Sequence, residues 1–297
     1  MKKIKWILEA AFIVIFLLPF AILPLKISQK AGESFGFLLF HLWKKRREIA
    51  TENIRKTILT GALKISEPPE IIAKKCFGNL GISLSEVAKI YYGLGGSIIE
   101  KVKILGIENY KNSLAKNKGV LFFTGHCGNW ELLSLAFGLK VSNISLVARA
   151  QNNPYLNQLI EKVRAKYGNR VIYKKGALKA LLSELKGNKT VGILIDQAVL
   201  PEEGVIIDFM GMKAWTTKAP SLIARRTSSP VMPAFISRAI DGSHTINLYP
   251  EVELSKKENQ EEALLEDTKT FSYYIEEYIR QHPAEWLWIH RRWKRAE

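Results

Sequence analysis

Short apolar runs alternate with amphipathic stretches from about Lys101 onward, and this alternation restricts the fold more than any other feature of the sequence. Helical spacing of apolar residues occurs at 130–139, 154–167, 177–185 and 218–227, and a last helical stretch ends at Pro283. Apolar strands that alternate with helices imply a largely parallel sheet covered on both faces. The chain is therefore predicted to be an α/β protein with a mostly parallel central sheet flanked by helices. The runs typical of β-strands are KVKILGIENY, GVLFFTG, NISLVAR, RVIYKK, TVGILID, PVMPAFISRA and HTINLYPEV.

Residues 6–25 form an apolar segment near the start of the chain, interrupted only by Glu9. As a helix the segment would be about 30 Å long, which is close to the thickness of the hydrocarbon core of a bilayer. A cleaved signal peptide has a similar start, but Pro24, Leu25 and Lys26 follow where the small residues of a cleavage site would stand. We therefore predict a membrane anchor over residues 1–28. The prolines within it leave open whether it spans the membrane or dips into one leaflet.

The sequence is strongly basic, with 44 Lys and Arg against 28 Asp and Glu and a net charge of +16. Such an excess favours an anionic partner, which could be nucleic acid, a membrane face or an acidic protein. Nucleic acid is the least favoured, because no recognition motif is present and a membrane anchor would serve no purpose. Positive residues are concentrated after the apolar run 6–25, at Lys26, Lys30 and residues 44–47, which predicts the inner (cytoplasmic) membrane with the bulk of the chain facing the cytoplasm.

Residues 29–100 are predicted to form a helical, membrane-proximal segment, because apolar residues recur there at three- and four-residue spacing. Residues 101–297 then form the α/β part. Basic residues between 44 and 56 share one face of a predicted helix, and the sequence leaves open whether this face lies on anionic headgroups or is solvated. The two cysteines, Cys76 and Cys127, form no disulfide framework, which predicts reduced thiols.

The sequence GHCGNWE, residues 125–131, places a histidine and a carboxylate between a predicted strand and the helix that follows. A carboxylate that binds one imidazole nitrogen fixes the tautomer and leaves the other nitrogen as a general base. On a regular helix His126 and Glu131 would face different ways. With His126 in the loop, however, the chain can fold the two together, so we predict that Glu131 holds His126. Backbone amides near Gly128 are predicted to stabilise an oxyanion.

The sequence offers this base no convincing protein nucleophile. Cys127 is adjacent to His126, and because neighbouring side chains on a loop usually diverge, it is predicted to be a passive neighbour. No Gly-x-Ser-x-Gly elbow occurs in the chain, which disfavours a serine hydrolase. Direct attack by a substrate hydroxyl on an activated acyl group is therefore predicted, without a metal or a tightly held cofactor.

At GHCGNWE the sequence resembles the His-x-x-x-x-acid motif of the lysophospholipid/glycerol-phosphate acyltransferase superfamily, and its Gly-Asn-Trp-Glu form is similar to the late acyltransferases of lipid A biosynthesis. Further blocks resemble that lauroyl/myristoyl family in the same order, so the resemblance covers nearly the whole chain. Two departures from the superfamily are a glutamate at 131 where the glycerol-phosphate branch has aspartate, and Val205 after Glu203-Gly204 where that branch has threonine. The further blocks are ARAQNNPYLNQLIEKVRAKYG, GILIDQ, DFMGMKAWTTKAP, ARRTSSPVMPAF and PAEWLWIHRRWK.

The resemblance implies transfer of a fatty acyl chain from acyl carrier protein to a hydroxyl of a lipid A precursor, with His126 as the base and Glu131 as its partner. Three alternatives stay open: an acyltransferase acting on a lysophospholipid or other glycolipid, a non-catalytic membrane protein that binds lipid, and, least favoured, a membrane-tethered nucleic-acid binder. Coenzyme A as the donor carrier also stays open. The positive charge suits an acidic carrier protein, a phosphorylated acceptor and membrane lipids alike.

Several residues besides the pair are predicted to bind substrate. Arg164 ranks first and Arg149 second, because guanidinium groups bind phosphate oxygens in pairs and the resemblance favours the Arg-x-x-x-Gly arginine. Asp196 and Gln197 stand at the end of a predicted strand, where ligand sites of α/β proteins form. The remaining candidates are Gly128, Asn129 and Arg226, with Thr217 and Lys218 as weaker ones.

The segment WLWIHRRW, residues 286–293, has two interpretations. Tryptophans interleaved with arginines suit a belt at the level of lipid headgroups. Packing of Trp286, Trp288 and Trp293 against the core, with Arg291 and Arg292 paired outward, is equally reasonable. His290 is predicted to be structural.

Overall fold

A seven-stranded sheet forms the centre of the protein, and its strand order is β1-β9-β8-β2-β5-β3-β4. The computed structural model describes residues 2–174, 176–294 and 296. Neighbouring strands run parallel except β8 and β9, which are antiparallel. The predicted α/β class with a mostly parallel sheet is confirmed. The strands of this sheet are β1 (Lys103–Leu105), β2 (Val120–Thr124), β3 (Ile144–Ala148), β4 (Asn169–Tyr173), β5 (Thr190–Leu194), β8 (Val231–Arg238) and β9 (His244–Leu248).

Helices cover both faces of the sheet, as the continuously apolar strands require. Phe122 and Phe123 are adjacent in β2 and point to opposite faces, where each is buried in a separate apolar core. The helices are α1 (Lys2–Ile22), α2 (Leu25–Leu42), α3 (Lys44–Leu59), α4 (Pro69–Tyr91), α5 (Gly96–Lys101), α6 (Ile107–Leu114), α7 (Trp130–Lys140), α8 (Pro154–Lys166), α9 (Ala177–Lys186), α10 (Ala219–Thr227) and α11 (Gln260–Gln281).

Two segments differ from the predicted elements. The first predicted strand is only three residues long, because Gly106 adopts a φ of 76° and the chain turns directly into α6. An antiparallel hairpin, β6 (Gly204–Phe209) with β7 (Met212–Thr217), occupies a stretch for which no strand is predicted. Its two-residue turn contains Met210 and Gly211, both at positive φ.

The helices α2 and α4 pack at unusually short range because glycines face each other at their crossing. A Cβ atom on Gly81 would lie 1.9 Å from the carbonyl oxygen of Gly32, and one on Gly36 would lie 2.1 Å from that of Phe77. Only glycine allows two helix backbones to approach this closely. This contact holds α2 directly against α4.

The helix α1 is the one described helix that is long and apolar enough to cross a membrane, although a signal sequence or a core helix can meet the same criterion. Its backbone receives side-chain hydrogen bonds from the rest of the protein along its whole length. Lys89 donates to the carbonyls of Ala21, at 2.6 Å, and of Leu23. Tyr92 donates to Val14. Asn153, at the start of α8, donates to Trp6 at 2.8 Å and to the Glu9 carboxylate at 3.1 Å.

Candidate active site

His126 lies in the loop after β2, and its ring is held by a buried aspartate. The Nδ1 atom is 2.8 Å from Oδ1 of Asp196, while the backbone amide of His126 donates to Oδ2 of the same carboxylate at 2.9 Å. Asp196 follows β5, the strand that pairs with β2, so the two side chains meet where adjacent strands end. Burial alone would raise the pKa of Asp196, but the charge and hydrogen bonds of His126, with a bond from Trp286, hold it at about 2.

The ionised state of Asp196 determines which ring nitrogen of His126 carries the proton in the neutral form. Nδ1 must donate to the carboxylate, so the lone pair resides on Nε2. The amide nitrogen of Gln197 lies 3.2 Å from Nε2 and donates to it. The edge of Trp130 packs against the ring, with centroids 5.1 Å apart. His126 thus has the hydrogen-bond arrangement of a general base.

A segment far along the chain fixes the backbone of this loop. Residues 285–287 form a short antiparallel bridge with it, in which Gly128 N donates to Glu285 O at 2.8 Å and Leu287 N donates to His126 O at 3.1 Å. Trp286 also donates its Nε1 proton to Oδ2 of Asp196, at 2.8 Å. The loop and the carboxylate behind it are therefore secured by the same segment.

Glu131 has other partners than the one predicted for it. Its carboxylate binds the guanidinium of Arg164 with two bonds, Nε to Oε1 at 2.8 Å and Nη2 to Oε2 at 2.7 Å. Tyr91 donates a third bond, at 2.7 Å. The prediction that Glu131 holds the ring of His126 is wrong in this structure, because Asp196 occupies that place and α7 directs Glu131 toward α8. Burial would lower the pKa of Arg164, but its bonds to Glu131 raise it, so the guanidinium stays charged.

A cavity of about 700 Å³ opens beside His126 at the carboxyl ends of the central strands. Its apolar walls lie on both faces of the sheet: Phe122 and Phe137 on the side of α7, and Leu181 and Ile193 on the side of α9. An apolar cavity with a few convergent polar groups suits a ligand with an apolar chain and a polar head. The polar and charged residues that line it include His126, Glu131, Arg149, Arg164, Lys174, Gln197, Glu202, Glu203, Thr217, Lys218 and Arg226.

The predicted substrate-binding residues divide into two groups. Arg149, Arg164, Gln197 and Arg226 line the cavity together with His126. Gly128, Asn129 and Asp196 are not among the residues that line the cavity, and the structure uses their polar groups internally: Asn129 caps α7 by accepting from Leu132 N at 3.1 Å. A Cβ on Gly128, whose φ is 55°, would lie 2.2 Å from Ile236 O, which explains the glycine. Its amide is already bonded to Glu285, so the predicted oxyanion role of this amide is not available in this arrangement.

Cys127 is completely buried, and burial together with the nearby carboxylates of Asp196 and Glu285 raises the pKa of its thiol well above the ordinary value. A buried thiol with a raised pKa is a poor nucleophile. This agrees with the prediction that Cys127 is a passive neighbour.

The segment 286–293 is part of the core rather than a belt at the protein surface. Trp286, Trp288 and Trp293 are all buried, and each indole nitrogen donates a hydrogen bond inside the protein. The expectation that Arg292 pairs outward is wrong: it is fully buried, donates to Trp215 O at 2.6 Å and lies over the ring of Phe209. The hairpin β6–β7 provides both acceptors for Arg292, the carbonyl of Trp215 and the side-chain hydroxyl of Thr216.

Two features of the site were not predicted from the sequence. The pairing of Asp196 with His126 depends on the adjacency of β2 and β5, and the only signal was a carboxylate at a predicted strand end. The hydrogen bond from Trp286 to Asp196 could not be predicted, because the sequence showed only that tryptophans are frequent in that segment. No three His, Cys, Asp or Glu side chains come together as a metal site would need within residues 2–174, 176–294 and 296.

Comparison with known proteins identifies one family that covers nearly the whole chain. Residues 2–295 match the family model described as bacterial lipid A biosynthesis acyltransferase. The chain is 24% identical over 279 residues to the lipid A biosynthesis lauroyltransferase of Escherichia coli K12, covering 92% of this chain and 87% of that protein. It is also 24% identical over 278 residues to the palmitoleoyltransferase of lipid A biosynthesis of the same strain, covering 92% and 86%.

Among solved structures, the 1-acyl-sn-glycerophosphate acyltransferase of Thermotoga maritima is similar with a TM-score of 0.40 and 16% identity, covering 85% of this chain and 97% of that one. The relatives and the family match define the protein as an acyltransferase. The chain belongs to the bacterial lipid A biosynthesis acyltransferases.

Proposed function

We propose that the protein transfers a fatty acyl chain from the thioester of acyl carrier protein to a hydroxyl of a lipid A precursor, with His126 as general base. The observation that carries this proposal is the ring of His126: Asp196 binds its Nδ1 atom, and the residue lines the cavity. The family match and the relatives, which are named for lipid A biosynthesis, support the class of acceptor. The net charge of +16 supports an acidic carrier protein as the donor.

The proton follows a short path in this mechanism. The acceptor hydroxyl replaces the Gln197 amide at Nε2 of His126 and gives up its proton there as its oxygen attacks the thioester carbonyl. The tetrahedral intermediate collapses, the C–S bond breaks, and the imidazolium returns the proton to the leaving thiolate. Asp196 stays ionised throughout, because its pKa of about 2 lies far below neutrality, and it stabilises the imidazolium.

Arg164 has a binding role in this proposal, and Glu131 positions it. The ion pair uses Nε and Nη2 of the guanidinium, which leaves Nη1 for an oxygen of the substrate. Arg149, Lys218 and Arg226 line the same cavity. Together they give its polar part a positive character suited to a phosphorylated acceptor.

We further propose that the protein lies on the inner membrane through α1 without α1 crossing it. Polar side chains of the folded body reach the backbone of α1 at Trp6 and at Ala21, which are about 22 Å apart along a helix. A helix that crossed a bilayer would carry these polar contacts through the hydrocarbon. The face of α1 that points away from the protein is apolar and exposed, at Ile4, Leu8, Phe12, Ile15, Leu18 and Ile22, and suits insertion into one leaflet.

The test uses detergent-purified protein, an acyl carrier protein thioester and two acceptors offered together, a diphosphorylated glucosamine-disaccharide lipid and a lysophospholipid. Mass spectrometry of the products is the readout. We expect acylation of the disaccharide, lost in His126→Ala and retained in His41→Ala, a histidine on the exposed side of α2. Acylation of the lysophospholipid alone would contradict the proposed acceptor. Equal product from His126→Ala and wild type would contradict the assignment of His126 as the general base.

A further inference from the structure

Behind the catalytic loop lies a buried cluster of charges that the proposed reaction does not use. Its centre is Glu86 of α4, which is fully buried. Its Oε2 atom accepts from Asn129 at 2.8 Å and from Arg238 at 3.1 Å, and lies 3.3 Å from Nε2 of His244. Its Oε1 atom accepts from Gln29 of α2 at 2.8 Å. Four elements and the loop before α7 therefore meet at one carboxylate.

This carboxylate is charged in the folded protein. Burial would raise the pKa of Glu86, but the proximity of His244, the charge of Arg238 and the bond from Gln29 lower it to about 2. A buried charge is tolerated only when it is paired and hydrogen-bonded, and Glu86 meets both conditions.

Asn129 connects this cluster to the reacting histidine. Its Nδ2 atom donates to Glu86, and its Oδ1 atom accepts from Leu132 N in the first turn of α7. The carboxylate accepts only, so it determines which end of the amide faces the helix. Asn129 comes three residues after His126 and two before Glu131, the residue that holds Arg164.

We infer that Glu86 is a positioning residue for the reaction, which acts through Asn129 to fix the start of α7 and with it the loop that carries His126. This inference rests on the proposed function for its kinetic consequence but not for its structural one. The opposite side of the loop is held by residues 285–287, so Glu86 and that segment clamp His126 from two directions. Misplacement of a catalytic group by about 1 Å can cost about 100-fold in rate.

Three variants separate positioning from general stability. Asn129→Ser keeps a good helix cap but cannot reach Glu86. Glu86→Gln keeps an acceptor for Asn129 but removes the charge that pairs with Arg238. Gln29→Ala is the matched control, because it removes a bond to the other oxygen of the same carboxylate from a helix that does not touch the loop. In each variant kcat and KM for acyl transfer are measured beside Tm.

We expect Asn129→Ser to lower kcat by about 10- to 100-fold with little change in Tm. Glu86→Gln should lower Tm, because Arg238 loses its counter-charge, and it should also lower kcat, because an amide can present its NH2 group to Asn129 and no longer fixes the orientation of that side chain. Gln29→Ala should leave kcat unchanged. Wild-type kcat in Asn129→Ser or in Glu86→Gln, or a loss in Gln29→Ala as large as that in Asn129→Ser, would overturn the inference.

A second readout does not depend on activity. The chain has five histidines, and labelling them with ¹⁵N resolves the Nδ1 proton that His126 shares with Asp196. We expect this proton resonance to shift or broaden in Asn129→Ser and to stay in place in Gln29→Ala. If the wild-type protein acylates neither acceptor, the proposed function fails and this resonance alone decides the inference: an unchanged signal in Asn129→Ser would overturn it.

Discussion

At the scale of single residues, the two carboxylates near His126, those of Asp196 and Glu131, have different binding partners. Asp196 binds the imidazole, whereas the carboxylate of Glu131 binds Arg164 and Tyr91. Both are acidic side chains close to one histidine, so kinetics must distinguish an effect on proton transfer from an effect on binding. Replacing each by its amide does so, because the amide preserves size and removes charge.

Asp196→Asn should lower kcat by about 1,000-fold or more and leave KM nearly unchanged. The amide can donate to Nδ1, which favours the tautomer with its lone pair turned away from the cavity. Steady-state kinetics with saturating acyl donor measures the effect. A drop in kcat of less than tenfold would mean that Asp196 is not the partner on which the base depends.

Glu131→Gln should instead raise KM for the acceptor more than it lowers kcat, because Arg164 loses its counter-charge and one of the two bonds that orient it. Tyr91→Phe is the matched control, since it removes only the single bond to Oε1 and should have a smaller effect in the same direction. A pure loss of kcat in Glu131→Gln, equal to that of Asp196→Asn, would return Glu131 to the role predicted from the sequence.

Trp286→Phe keeps a large aromatic ring in the core but removes the Nε1 proton that Asp196 accepts. We expect kcat to fall by about tenfold, since one hydrogen bond to a charged group contributes about 1.5–3 kcal/mol. Circular dichroism and Tm show whether the fold is intact. Trp293→Phe serves as the control, because its indole bonds Phe209 O away from the carboxylate.

At the scale of elements, the helical segment depends on the glycine crossing of α2 and α4. Gly81→Ala places a methyl group 1.9 Å from a backbone oxygen, so the two helices must separate. We expect Tm to fall by several degrees in a thermal melt. Gly96→Ala is the control, because a Cβ there meets nothing within 4 Å, and its Tm should match wild type. Equal melting of both variants would show that the crossing is not tightly packed.

Sequence patterns were sufficient to predict most helices and strands and the candidate base His126. They did not predict the contacts between segments that are distant in sequence. Periodicity predicted α7, α8 and the central strands because local apolar spacing determines them. It could not give the strand order, and only the adjacency of β2 and β5 brings Asp196 to His126. Glu131, five residues away, was predicted to be the partner because it is the nearest carboxylate in sequence. That prediction was wrong, because proximity along the chain does not show which strands are adjacent. The β6–β7 hairpin was missed because its turn is formed by Met210 and Gly211 rather than by the Asn-Gly or Asp-Gly pair typical of a two-residue hairpin turn.

At the scale of the whole molecule, acid should weaken the fold through His290. Burial lowers its pKa from 6.5 to about 4, helped by the charges of His126, Arg292 and Lys294 and opposed by that of Asp196. Between about pH 6.5 and pH 4 the unfolded chain therefore binds a proton that the folded protein does not, and the free energy of unfolding declines as pH falls. We expect Tm to drop from pH 7 to pH 5, and to drop less in His290→Gln. The same decrease in Tm between pH 7 and pH 5 in the wild type and in His290→Gln would show that another titratable group causes the effect.

The proposed position of α1 in one leaflet of the membrane also has a direct test, in membrane vesicles. If α1 lies in one leaflet, residues at both of its ends face the same side of the membrane. Lys3→Cys and Lys30→Cys should then react with an impermeant maleimide from the cytoplasmic side in inverted vesicles. The native Cys76 and Cys127 are buried and contribute little background. Labelling of the two positions from opposite sides would show that α1 spans.

The bonds that hold His126 also bear on the order in which the protein folds. Its ring is tied to a residue 70 positions away, and the aspartate is tied in turn to one 90 positions further on. Contacts of such large sequence separation carry the greatest loss of chain entropy and form slowly. Compact folding intermediates should therefore have most of their helices before they have any activity. The return of acyl transfer after dilution from denaturant would then time the last step of folding, when residues 285–287 dock against the loop.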